Sequence, residues 1–110
     1  MDAHSRHRQI ITGVLTEFAE TGTRSEVELV CAFDTLRDNY LLVNTGWDGV
    51  RRIHHIVAHM RLHNGKVWVE TDNTNTELVQ QLLNAGLSKE EIVLAFYSPQ
   101  KRPFTEFAVA

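Results

Sequence analysis

The fold is decided by the stretch from Gly46 to Glu70, which runs GWDGVRRIHHIVAHMRLHNGKVWVE. Asp48-Gly49 and Asn64-Gly65 are dipeptides that favour tight β-hairpin turns, and residues of high β propensity flank both of them. The segment between them, about Val50 to Leu62, is therefore predicted to be one long strand. A shorter strand, Val67 to Thr71, follows the second turn.

Upstream of this stretch, the sequence alternates between apolar and polar residues. Val27, Leu29, Cys31 and Phe33 occupy every second position, which predicts a strand with one buried face over Glu26 to Asp34. A turn over Thr35 to Asn39 leads into a second strand, Tyr40 to Trp47. Together the strands predict a four-stranded antiparallel meander.

A helix is predicted before the meander, from about Ser5 to Thr21. Its apolar residues recur with a period near 3.6, and Gly22 is expected to follow the helix as its stop signal. Arg6, His7 and Arg8 lie near the helix start, where the helix dipole disfavours positive charge. The sequence suggests no reason for this conflict beyond a contact surface.

After the meander, a second helix is predicted from about Asn75 to Ala85, with Thr74 or Asn75 as its cap and Gly86 at its end. Ser88 and Glu91 have the spacing of a capping box and predict one further helical turn. The apolar run from Ile92 to Tyr97 predicts a short fifth strand. The apolar tail, Phe104 to Ala110, is expected to dock on the fold.

The bulk properties describe an ordinary globular protein. The 110 residues are predicted to form a single domain, residues 1–110, of the α+β class. The net charge is −3, whereas proteins that grip nucleic acid usually carry net positive charge. One cysteine excludes an internal disulfide, and no segment is apolar and long enough to be a signal peptide or a membrane span. We expect a cytoplasmic protein with no membrane contact.

The candidate reactive groups give little support for catalysis. His55 and His59 are expected to share a face of the third strand, but residues four apart on a strand lie about 13 Å apart, too far to hold one metal ion. Cys31 is expected to pack as a small apolar residue. We therefore predict no catalytic, cofactor-binding or metal-binding residues. A metal-dependent nuclease remains a weaker alternative, which a chelator would test.

Large aromatic and charged residues near the turns and the chain end predict a docking surface, because aromatic residues and arginine are enriched in protein interfaces. Arg51 and Arg52 are expected to point to opposite faces of their strand. A sheet of five strands also has edges that must be covered, so we expect a homo-oligomer. The residues predicted to bind a partner are Trp47, Arg51, Arg52, Lys101, Arg102, Phe104, Glu106 and Phe107.

Three parts of the sequence resemble the XisI family, the fdxN element excision controlling factors of cyanobacteria. The first is Phe33-Asp34-x-x-Arg37-Asp38-x-Tyr40, and the second is Gly46-Trp47-Asp48-Gly49-x-Arg51-Arg52-x-His54. The third is the close of the chain, Lys101-Arg102-x-Phe104-Thr105-Glu106-Phe107-Ala108-Val109-Ala110. His55 departs from the pattern, since a small residue is more usual there.

The resemblance implies an accessory role in the programmed excision of a DNA element during heterocyst differentiation. In such systems a site-specific recombinase performs the strand chemistry, and an XisH-like protein is the partner that the resemblance implies. No catalytic residues come with it. Two functions stay open: binding of a partner protein, or direct DNA binding within a recombinase complex through Arg51 or Arg52, Lys101, Arg102 and the basic start of the first helix.

Overall fold

The computed structural model describes residues 2–24 and 26–110, and over these residues two α-helices pack on a five-stranded sheet. The strands, in their order across the sheet, are β1 (Val27–Asp34), β2 (Asn39–Asp48), β3 (Arg51–His63), β4 (Lys66–Asp72) and β5 (Ile92–Leu94). The helices are α1 (Ala3–Gly22) and α2 (Glu77–Asn84). Strands β1 to β4 pair antiparallel and β5 pairs parallel to β4, so the predicted α+β architecture is confirmed.

Both predicted hairpin turns are present. β2 ends at Asp48 and β3 begins at Arg51, and Gly49 in the turn has a φ of 62°. In the second turn, Asn64 and Gly65 have φ values of 50° and 77°, as a type I′ turn requires at its two central positions. These conformations suit Gly and Asn, which explains why the two dipeptides set the strand boundaries.

Helix α1 lies across the sheet and buries the apolar stripe that the sequence predicted. Ile11, Val14, Leu15 and Ala19 are buried, and the Asp2 side chain caps the helix start by accepting a 2.7 Å hydrogen bond from the Ser5 N–H. The expected role of Gly22 is wrong. Gly22 is the last helical residue, and the helix ends at Thr23 because the backbone there turns extended, with a ψ of 135°. The Thr23 N–H and hydroxyl both donate to the Ala19 carbonyl.

The second half of the chain follows the prediction with shorter elements. Helix α2 begins at Glu77 because Asn75 and Thr76 have left-handed φ values of 56° and 65°. The N–H of its second residue donates to Thr74 Oγ1. Gly86 follows the end of the helix with a φ of 115°. A 3₁₀ turn, Lys89–Glu91, then precedes β5.

Strand β5 does not extend to Tyr97 as predicted. It ends at Leu94, because the next residues form a turn in which the Tyr97 N–H donates to the Leu94 carbonyl at 3.1 Å. The tail docks as expected: Ala108 forms a bridge with Val93, and its N–H donates to the Ile92 carbonyl at 2.9 Å.

The helices cover only one face of the sheet. Helix α1 contacts β1, β2, β3 and α2, and α2 contacts β4, so both helices lie on the same side. Alternate strand residues that point to this inner face form the core with the helical stripes, and examples are Tyr40, Leu42, Met60, Val67 and Val69. On the opposite face, the residues of β1, β2 and the first half of β3 are half-buried or exposed. We call this the open sheet face.

Candidate interaction surface

The open sheet face carries an apolar row that crosses three strands. Val30 of β1 pairs with Val43 of β2, which pairs with Ile56 of β3. Val30 and Ile56 are 37% and 43% exposed, whereas Val and Ile side chains are most often buried. The neighbouring row, Ala32, Leu41 and His59, is also incompletely buried. The face is therefore apolar at its centre and accessible.

The end of the β2–β3 hairpin adds an aromatic side chain to this face. Trp47 is 52% exposed, and the Arg52 guanidinium lies 5.3 Å from the centre of its ring. Trp47 and Arg52 form one cross-strand pair, and Asp48 and Arg51 form the next, so Arg51 and Arg52 point to opposite faces as predicted. Arg51 binds the Asp48 carboxylate at 3.2 Å. These exposed contacts contribute little to stability.

The predicted contact residues near the chain end lie in a second group, beside β4 and β5. Arg102 donates to the carbonyl oxygens of Tyr97 and Ala95 and lies 5.4 Å from the Trp68 ring. Lys101 lies over the ring of Tyr97, and Phe104 is 86% exposed. Most of this group holds the chain end in place.

The last two residues of this group, Glu106 and Phe107, are tied to the fold through Lys89. The Lys89 ammonium binds the Glu106 carboxylate at 3.0 Å and lies 5.6 Å from the Phe107 ring. The Phe107 side chain is half-buried and packs against the core. Among the large apolar side chains that are exposed in this part of the chain, Phe104 is the most accessible.

The structure does not bring the two groups together. Arg52 pairs with Trp47 at one end of β3. Trp68, next to the chain-end group, pairs with Arg61 near the other end of β3. At about 3.3 Å per residue, this stretch of strand spans roughly 30 Å. The eight residues predicted as one docking surface therefore form two separate surfaces.

A cavity of about 550 Å³, which we call the hairpin cavity, opens near the turn of the β2–β3 hairpin, mostly on the inner side of the sheet. Its wall combines charges of both signs with apolar groups; among the lining residues are Arg24, Glu26, Asn44, Asp48, Arg51 and His55. The Oδ1 atom of Asn44 is buried and has no hydrogen-bond partner among the residues that the structure describes. A buried polar atom without a partner is costly, so this amide lowers the stability of the fold at the hairpin cavity.

Sequence reasoning missed a cluster of charges at the start of α1. Arg6 donates to Glu91 Oε1 at 2.6 Å, and His7 Nε2 lies 3.2 Å from the same oxygen. The Ser88 N–H donates to Glu91 Oε2 at 2.8 Å, completing the capping-box spacing seen in the sequence. Burial raises the pKa of Glu91, but the hydrogen bonds from Ser88, Arg6 and His7 outweigh it and lower that pKa to about 2.

A second carboxylate, that of Asp38, binds the side chains of His4 and Arg8 near the start of the same helix. Tyr40 Oη donates to Asp38 Oδ1 at 2.6 Å, and Arg8 donates both to that oxygen and to Tyr40 Oη. His4 Nε2 lies 2.9 Å from Asp38 Oδ2. Burial raises the pKa of Asp38, but the bonds from Tyr40 and Arg8 give a net lowering. The basic residues at the helix start are thus explained by internal ion pairs, and we call the Glu91 and Asp38 groups the helix clamp.

The histidines of β3 do not share one face as expected. The pairing of β3 with β2 shifts between Leu42 and Val43, and Val57 is the extra residue of this β-bulge. Because the bulge reverses the alternation, His55 lies on the inner face beside Asn44, and His59 lies on the open face beside Leu41. Across the described positions, no group of three or more His, Cys, Asp or Glu is arranged to hold a metal ion.

Cys31 lies on the inner side of β1, where its thiol is directed at the Leu15 carbonyl of α1 at 3.6 Å. Desolvation by burial raises the pKa of this thiol, so it is protonated near neutral pH. A thiol in this state is a poor nucleophile. The position agrees with the expectation that Cys31 packs as a small apolar residue.

These features define the class of the protein: a small α+β fold whose sheet is covered by helices on one side and carries an accessible apolar face on the other. Within that class, the chain belongs to the XisI family, because the family model for the XisI protein matches residues 1–109. The resemblance inferred from the sequence is confirmed. In residues 2–24 and 26–110, no helix is long and apolar enough to cross a membrane.

Two crystal structures with this fold come from Anabaena variabilis. The fdxN element excision controlling factor XisI is 35% identical, with a TM-score of 0.85, and the match covers 99% of this chain and 100% of that one. An XisI-like protein is 30% identical, with a TM-score of 0.85 and the same coverage. No match was found among curated proteins.

Proposed function

We propose that this chain is a non-enzymatic controlling factor for the excision of a DNA element, and that it acts in the cytoplasm by binding an XisH-like protein. The role in excision rests on similarity to the excision controlling factor from Anabaena variabilis. The mode of action rests mainly on one observation: on the open sheet face, no element of the described residues covers Val30, Val43, Ile56 and Trp47.

An apolar sheet face of this kind supports protein binding on physical grounds. Accessible apolar patches with a polar rim are typical of protein interfaces. Trp47 adds the residue type that most often dominates binding energy, and the Arg52 guanidinium stacked on it is held in a defined position.

Direct DNA binding has weaker support, because most of the nominated basic groups are engaged within the chain. Arg6 and Arg8 are bound by the helix clamp, and Arg102 is bound by backbone carbonyl groups. Arg51 binds Asp48. With a net charge of −3, the chain has little surplus positive charge to neutralise phosphates.

The test is capture of the XisH-like protein from the same genome by the purified chain, with dissociation constants measured by calorimetry. Trp47→Ala and Ile56→Ser are expected to weaken binding by about tenfold or more each, as loss of a central interface residue does. Phe104→Ala is the matched control, because it removes an exposed aromatic ring from the distant group at the chain end and is expected to leave binding unchanged.

Two results would contradict the proposal. One is unchanged binding in folded Trp47→Ala and Ile56→Ser variants. The other is tight, salt-sensitive binding of the chain alone to DNA in a gel-shift titration, which would favour the role of a DNA-binding accessory factor for a site-specific recombinase.

A further inference from the structure

The two edge strands of the sheet, β1 and β5, differ in how much of their unpaired side the rest of the chain covers. β5 is three residues long, and the bridge from Ala108 covers part of its edge. β1 is eight residues long, contains no Pro or Lys, and has no bulge in its pairing with β2. Natural proteins rarely leave a long, regular and mostly apolar edge unpaired, because it is a template for strand addition.

The hydrogen-bonding pattern shows which groups of this edge are available. The Trp47 N–H donates to the Glu26 carbonyl, so in the alternating ladder the even-numbered residues of β1 face β2 and the odd-numbered ones face outward. Near the start of β1, Arg24 and Thr23 already bind the Val27 carbonyl and the Leu29 N–H. In the described chain, the outward N–H and C=O groups of Cys31 and Phe33 have no such partner.

We propose that a second copy of this chain occupies this edge, so that two β1 strands pair antiparallel about a two-fold axis and join the two sheets into one. In this arrangement Cys31 of one copy exchanges both of its backbone bonds with Phe33 of the other, and Phe33 does the same with Cys31. The axis then passes beside Ala32, which faces Ala32 of the second copy in a pair without hydrogen bonds.

Two observations favour this register over the one centred on Cys31. In it, Asp34 of the second copy, the last residue of β1, lies opposite Val30, so the added strand stops where Thr23 and Arg24 begin to cover the edge. Shifting the axis to Cys31 would place Asp34 opposite Glu28, and like charges directly opposite each other are destabilising. The Ala32 register avoids that repulsion.

The side chains along the edge also fit burial by a second copy. Phe33 and Val30 are each 37% exposed, on opposite faces of β1, and Leu36 in the following turn is 82% exposed. Pairing two such edges covers apolar groups on both faces of the joined sheet. The β1 edge shares Val30 with the open sheet face, but the variants that test partner binding, Trp47→Ala and Ile56→Ser, lie on β2 and β3, so the two proposals can fail independently.

The register can be tested by crosslinking in a Cys31→Ser background. Ala32→Cys places two thiols across the axis, where the Cα atoms of such a pair lie about 4.5 Å apart, within disulfide range. Oxidation is expected to convert most of this variant to a covalent dimer. Val30→Cys is the matched control on the same face, because its two thiols would lie about 13 Å apart along the strands. Equal crosslinking of both variants, or none of Ala32→Cys, would overturn the register.

Charge substitution tests the pairing itself. Ala32→Lys brings two ammonium groups together at the axis and is expected to raise the dimer dissociation constant by about tenfold or more in sedimentation equilibrium. Val30→Lys instead places its charge opposite Asp34 of the second copy and is expected to leave the constant within about threefold. A wild-type chain that is monomeric at about 100 μM would refute the dimer, since even strand-paired complexes of modest area associate at that concentration.

Discussion

The start of α1 and the end of the β2–β3 hairpin differ in how they use their polar groups. At the helix start, Arg6, His7 and Arg8 are all bound by two carboxylates from distant parts of the chain. At the hairpin end, the Asn44 amide oxygen is buried without a partner in the described structure, and Trp47 is half exposed. The difference indicates that polar groups stabilise the fold at the helix start, whereas the hairpin end leaves one polar atom unsatisfied and one aromatic ring accessible.

The largest effect on stability is expected from Glu91→Ala. The change leaves Arg6 and the nearly fully buried His7, 3% exposed, without their shared acceptor, and it should lower the free energy of unfolding by about 3 kcal/mol. Urea denaturation measures this. The control is Glu90→Ala, an exposed neighbour, for which we expect less than about 0.5 kcal/mol. Equal effects of the two variants would contradict the conclusion that the charged groups at the start of α1 stabilise the fold.

Acid should weaken the helix clamp in a defined pH range. The pKa of Glu91 in the folded state is about 2, below its ordinary value of 4.5, so the native state favours the ionised form. Its contribution to stability is therefore complete above about pH 4.5 and is lost as the pH falls toward 2. Unfolding measured from pH 6 to pH 2 should show a decline that is smaller in Glu91→Gln. A decline of the same size in both proteins would contradict this account.

A smaller loss is expected from Tyr40→Phe. The variant keeps the buried ring but removes the hydroxyl that donates to Asp38 and accepts from Arg8, and it should cost about 1 to 2 kcal/mol. Tyr97→Phe provides the matched control, because the Tyr97 hydroxyl makes no hydrogen bond within the described chain. Thermal denaturation of both variants distinguishes a buried polar network from simple ring packing.

At the hairpin cavity, Asn44→Val should raise the free energy of unfolding by about 1 kcal/mol. The change removes a buried acceptor that has no partner and introduces a residue favoured in strands. Asn39→Val is the contrasting variant, since Asn39 Oδ1 is bound to His59 at 3.0 Å and its loss should destabilise the fold. If Asn44→Val lowers the free energy of unfolding instead, the Asn44 side chain stabilises the fold, and the contrast with the helix clamp does not hold.

The smallest effect is expected from Trp47→Ala, within about 0.5 kcal/mol in urea denaturation. The side chain is half exposed, and its contact with Arg52 is on the surface. Any loss of partner binding in this variant can then be assigned to the contact itself. A loss of stability beyond about 2 kcal/mol would show that Trp47 serves the fold, as core aromatic residues do.

Local signals predicted most of the fold. The two hairpin dipeptides and the apolar stripe of α1 act through neighbouring residues, so sequence spacing was sufficient to predict them. The β-bulge at Val57 could not be predicted in this way, because it depends on the pairing of β3 with β2, and it reversed the faces assigned to the histidines. The length of β5 was likewise set by a turn at Ala95 that propensity did not indicate.

The site was less predictable than the fold. The opposite directions of Arg51 and Arg52 followed from strand alternation, but the separation of the hairpin and chain-end groups depends on the order of strands in the sheet. The helix clamp joins residues 84 and 85 positions apart, which no spacing rule can detect. Asn44 directly follows the apolar run from Leu41 to Val43, and a polar residue at this position of a strand was a usable signal for the hairpin cavity.

The helix clamp also sets the order in which the protein can acquire its native structure during synthesis. The ribosome synthesises α1 before the strands, whereas Glu91, which binds Arg6 and His7, follows these two residues by 85 and 84 positions. Contacts between such distant positions form late and slow folding. The ion pairs of Arg6 and His7 with Glu91 can therefore form only after strands β1 to β4 and helix α2 have left the exit tunnel.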